Sequence, residues 1–162
     1  MRATIAILFL AAAPLRAQHA GHDMHHTADT SYAAMQARGK TAMGVDQYAS
    51  THRFDTLADG GRIELVSDRD DSAAVAGIRA HFRDIARAFA RGDFAVPGFV
   101  HDTTAVPGTR VMAARRAAIA YEVHDLPRGA ELHLRTADPG ARRAIAEFMA
   151  YQRREHHAGG NR

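Results

Sequence analysis

The chain contains no cysteine. That absence excludes a disulfide framework, thiolate metal sites and cysteine nucleophiles, so any metal must be held by histidine, methionine or carboxylate. Beyond the first seventeen residues, nothing approaches the roughly 20 apolar residues of a membrane helix, and no stable membrane insertion is expected after leader cleavage. Net charge is low as well. The formal +3 includes Arg2 and Arg16, so removal of a leader would leave +1, with arginines interspersed among acids. The high isoelectric point reflects arginine in place of lysine and gives no argument for a nucleic-acid partner. Gly-x-Ser-x-Gly, Walker and His-Glu-x-x-His patterns are missing, and the Asp59-Gly-Gly61 glycines fit a turn better than a dinucleotide loop. No organic cofactor is expected.

What is present begins with a three-part leader over residues 1–17: basic Arg2, an apolar run from Ile5 to Ala13, and small Ala17 at the cut. It predicts a periplasmic or secreted protein. Residues 18–30 read as a disordered tail because they are polar and small without apolar periodicity. Residues 31–50 read as an N-terminal helix and linker, with Tyr32, Met35 and Met43 on one face and Gly44 as its stop. Residues 51–158 then carry the periodicities of a single α+β domain, whose size suffices for one core without staples.

Within that domain, His52, Phe54 and Thr56 alternate before the turn at Asp59-Gly-Gly61, and Ile63 and Leu65 alternate after it, a hairpin pattern. Asp70-Asp71-Ser72 offers N-cap chemistry to a helix with the stripe Val75, Ile78, Phe82, Ile85 and Phe89, closed by Gly92. An irregular connection over 93–107 and a short helix near 109–116 follow. The pattern then repeats. Residues 118–124 alternate, Leu126-Pro-Arg-Gly129 turns, Leu132 and Leu134 alternate, and Asp138-Pro139 opens a helix carrying Ile145, Phe148, Met149, Gln152 and His156. An offset of 67 residues carries Ile78 to Ile145, Phe82 to Met149, Leu65 to Leu132 and Phe54 to Tyr121. The expected fold is therefore two hairpin-plus-helix repeats forming a four-stranded antiparallel sheet, with two long helices on one face.

Histidine is the residue type that carries chemistry here. The tract His19-Ala-Gly-His-Asp-Met-His-His26 holds four of the eleven histidines, and His19, His22, Met24, His25 and His26 can reach one ion without a folded scaffold. Under the repeat, His52 takes the place of Ile119 and His156 that of Phe89, so both are polar groups at inward positions that require partners. His81 lies at the edge of its helix stripe and His101 in the proline-punctuated connection. One reading has His52, His81, His101 and His156 converging on a metal, copper or zinc, released below pH 6 as imidazoles protonate. The other has each ring paired with backbone or with a nearby carboxylate, since no local pair has metal-ligand spacing. His124 and His133 fall on the opposite, solvent-facing side of the sheet.

Met43-Gly-Val-Asp-Gln47, Thr51-His-Arg-Phe54, Ile78-Arg-Ala-His-Phe82, Gly92-Asp-Phe94 with Pro97, Val100-His101 and the stretch from Phe148 to His156 together resemble a family of small exported bacterial proteins without an established activity. Val45 and Arg53 depart from that family's usual Met-Gly-Phe-Asp-Gln and Thr-His-His-Phe. The resemblance picks out His52, His81, His101 and His156. Carbamoyl transfer, a label sometimes met in that family, is at odds with a single small domain. The leading expectation is an exported metal-binding protein, a carrier or buffer of copper or another divalent metal, rather than an enzyme. Its alternatives are a small-ligand or protein-partner module with an incidental tail, and a histidine-dependent metalloenzyme.

Overall fold

A computed structural model describes residues 23–158. Helix α1 spans Asp23–Met43, strands β1 and β2 span Ser50–Leu57 and Gly60–Ser67, and α2 spans Ser72–Ala90. The short helices α3 (Ala95–His101) and α4 (Thr109–Ala114) lead to β3 (Ala120–Leu126), β4 (Gly129–Arg135) and α5 (Pro139–Glu155). The strands form one antiparallel sheet in the order β1-β2-β4-β3. None of the described helices is long and apolar enough to cross a membrane.

The two long helices arise as their caps and stripes dictate. Asp71 accepts from the amides of Ala73 and Ala74 at 3.0 and 3.1 Å, and Asp138 accepts from Ala141 at 2.7 Å behind Pro139. Their inward faces meet Leu65, Leu132 and Leu134 in a core where Ile78, Ile145 and Met149 have no exposure at all. The helices are crossed over the sheet: α2 packs on β3 and β4, and α5 packs on β1 and β2. Arginines tie down this exchange. Arg79 donates to the Leu126 and Gly129 carbonyls, Arg83 pairs with Asp125, and Arg153 donates to the Phe54 carbonyl at 2.6 Å. The Arg79–Arg83 face of α2 thus anchors the second hairpin. The sheet's other face carries ion pairs such as Arg62 with Asp55 and Glu131.

The repeat is real, but its register in the sheet differs from the expectation. Leu57 pairs with Gly60 and Leu126 with Gly129 across equivalent two-residue turns, so the hairpins are related by 69 residues while the helix caps Asp71 and Asp138 keep the offset of 67. Phe54 therefore corresponds to Val123, His52 to Tyr121 and Leu65 to Leu134, correcting the pairings with Tyr121, Ile119 and Leu132. The link from the second strand to its helix is two residues shorter in the second unit. A slip of two leaves every side chain on the same face, so alternation alone cannot detect it. Glycine makes the symmetry visible: a Cβ on Gly60 would lie 1.9 Å from the Leu134 carbonyl oxygen, and one on Gly129 would lie 1.9 Å from that of Leu65.

Three boundaries are corrected. Helix α1 begins at Asp23, inside the stretch expected to be disordered through Thr30, because a helix nucleated over Ser31–Met43 extends at little cost through residues such as Ala28. It stops at Gly44, whose φ is +70°. Val45 joins the central core, so the domain does not begin at residue 51. The connection over 93–107 contains α3: Asp93 caps the Ala95 amide at 2.9 Å, and Pro97 falls in the first turn, where a missing N–H breaks no helical bond. Residues 1–22, including the expected leader, lie outside the described part.

Candidate metal centre

Four elements each deliver one histidine to the wall of one cavity. His52 comes from the inward face of edge strand β1, beside Phe54. His81 comes from the middle of α2. His101 is the last residue of α3, which Arg38 of α1 holds by donating to the Val100 carbonyl at 2.9 Å. His156 is the C-cap of α5, its amide still bonded to the Gln152 carbonyl at 2.9 Å. All four line one cavity of about 70 Å3, whose remaining wall is mostly aromatic and aliphatic. That volume holds a few water-sized occupants.

His156 is the hub. Its ring centroid lies 5.1 Å from that of His52, 5.0 Å from that of His101 and 5.1 Å from Phe54. Two imidazoles bound through nitrogen at about 2.0–2.1 Å to one ion, at angles of roughly 90–110°, hold their centroids about 4.5–5.3 Å apart. Both histidine pairs fall within that span. Among the described residues, however, no group of three or more His, Asp or Glu side chains surrounds a common point as metal ligands. His52 and His156 also border an open groove outside the cavity, lined further by Tyr32, Gln36 and Arg153, so these two rings stand between solvent and the interior.

Electrostatics keep the rings neutral. Burial pushes His52 down to about 4, with the His81 charge a smaller cause in the same direction. Burial pushes His156 down to about 2, reinforced by His52, His101 and His157. His81 is lowered by burial against the opposing pull of Asp84. His101 is lowered by burial too, against its hydrogen bond to Gln152 and the charge of Glu155. A neutral imidazole is the metal-binding form, so the ligands need shed no proton at neutral pH. For the metal-free fold these shifts mean that His52 and His156 keep the neutral, ligand-competent form to lower pH than a free imidazole does.

No protein-family model, curated protein or solved structure matches this chain.

Of the tail residues, His19 and His22 lie outside the described part. Met24, His25 and His26 fall at the start of α1, and their side chains lie outside it as well. His124 is exposed on the outer sheet face as expected, whereas His133 is only partly exposed and faces Asp59, with Nε2 3.5 Å from the carboxylate. Two cavity residues escaped the sequence reading. Met43 brings a thioether to the wall, and Gln152 brings an amide whose Oε1 is 2.9 Å from His101 Nε2. Gln152 had a signal: it is a polar residue on an apolar helix stripe. Met43 had none, because a methionine at a helix end reads as packing.

Proposed function

We propose that this chain is an exported metal-binding protein, a carrier or buffer, whose folded site is His52, His101 and His156 with His81 and Met43 in reserve, and that copper is its metal. The observation that carries this reading is the set of neutral imidazoles around His156, at spacings compatible with shared ligation, on the wall of a small apolar cavity. A site offering nitrogen and thioether, with neither carboxylate nor thiolate, suits copper, above all Cu(I), better than hard cations. The cavity is far below the roughly 300–1,000 Å3 of organic-ligand pockets, so the cavity itself suits an ion or water-sized occupant. The leader pattern supports the compartment. The tail histidines His19, His22, His25 and His26, with Met24, would form a separate, scaffold-free set.

Chelator competition with Cu(I) and Zn(II), on protein lacking residues 18–30, tests the reading. One copper per chain is expected, held more tightly than zinc and lost in His52→Ala and His156→Ala. Absence of copper binding in the truncated protein would overturn it.

A further inference from the structure

Gln152 is only 4% exposed, and on α5 it occupies the place that Ile85 occupies on α2 under the helix offset. An apolar side chain therefore satisfies the fold at this register. The amide must have another use, because burying an unpaired polar group costs about 1–3 kcal/mol. Half of that use is visible. Gln152 Oε1 lies 2.9 Å from His101 Nε2, and with the amide in this orientation its carbonyl oxygen accepts from Nε2–H, the tautomer that leaves the lone pair on Nδ1. The other half is unfilled: Gln152 Nε2, buried and carrying two N–H donors, has no hydrogen-bond partner. Gln152 lines the same cavity as the four histidines.

We infer that Gln152 is a positioning residue for His101, presenting its Nδ1 as the ligand atom, and that its free amide N–H holds a small hydrogen-bond-accepting ligand, water-derived or anionic, in the cavity. This inference rests on the metal reading for the place of that ligand, an open position beside the ion. Three imidazoles leave such a position in a four-coordinate site. An amide donor aimed at its occupant acts as outer-shell partners do, fixing a ligand ring on one side and the exogenous ligand on the other.

The test uses the full chain with Gln152→Met, close in size, and Gln152→Leu as a second variant, each checked for folding by circular dichroism. In the metal-free protein, nitrogen NMR of the His101 ring reports the tautomer. Wild type is expected to hold the Nε2–H form and both variants to lose that preference. With one equivalent of Cu(II), azide is titrated and its charge-transfer band followed. The tail is common to all three proteins, so differences between them belong to the cavity. Copper stoichiometry should be unchanged, and azide affinity should fall about tenfold or more in the variants, the loss of one hydrogen bond to an anion. An unchanged tautomer overturns the positioning role, and unchanged azide affinity overturns the ligand role. If the cavity of wild-type protein takes up no copper, the metal reading fails together with the ligand role, while the tautomer measurement still decides the positioning of His101.

Discussion

Replacing His156 by phenylalanine, the residue that α2 carries at the equivalent Phe89, removes a buried base while keeping a ring of similar size in the core. In the unfolded chain the imidazole has a pKa near 6.5, whereas in the folded protein it is held down to about 2 by burial and by neighbouring histidines. A depressed folded pKa means that the unfolded state binds the proton first. The stability tied to this group is therefore fully present above pH 6.5 and is lost as pH falls from 6.5 toward the folded value. At pH 5 the loss is about 2 kcal/mol relative to pH 8, from 1.36 kcal/mol per pH unit. His52, held at about 4 mainly by burial, loses a similar amount, so the pair costs roughly 4 kcal/mol against the 5–15 kcal/mol of a typical domain. His81 and His101 are lowered by burial as well and add to the slope in the same direction. Urea denaturation at pH 8 and pH 5 in the presence of chelator measures this directly. His156→Phe should lose about 2 kcal/mol less than wild type on acidification. Equal acid losses in the two proteins would refute the placement of His156 as a buried neutral base.

Other outcomes follow from the same geometry. Gly129→Ala should destabilise by about 2 kcal/mol or more in thermal or urea unfolding, because its Cβ would meet the Leu65 carbonyl at 1.9 Å and backbone cannot yield as a side chain does. Deleting residues 18–30 should leave the metal-free melting temperature nearly unchanged, since the first buried α1 side chains described are Met35 and Gln36; a large drop would show that the deleted stretch packs. Copper affinity of that truncated protein should be the same at pH 7.5 and pH 6, because His52 and His156 remain deprotonated at both, and equilibrium competition at the two pH values checks this.

Helix stripes at three- and four-residue spacing made α2 and α5 legible, and alternation made the four strands and their common buried face legible. Period-2 alternation could not reveal the two-residue slip that pairs His52 with Tyr121 rather than Ile119. Helix α3 was hidden by Pro97 and Gly98, which read as loop punctuation although proline costs a first turn nothing. The start of α1 was hidden because polar residues show no periodicity even where the backbone is helical. For the site, the repeat placed His52 and His156 inward, and this sufficed to suggest their meeting. The arrival of His101 beside them depends on α3 and on the Arg38 anchor, contacts between distant segments with no local signature. Met43 and the double use of Gln152 became readable only with the cavity in view.

X-ray absorption on copper-loaded protein lacking residues 18–30 reports the atoms around the ion and so decides whether the folded histidines hold it. One copper per chain is expected, with a shell of imidazole nitrogens at about 2.0 Å, diminished by one ring in His156→Phe. A copper stoichiometry near zero after removal of the tail, or a nitrogen shell that His156→Phe leaves untouched, would contradict it.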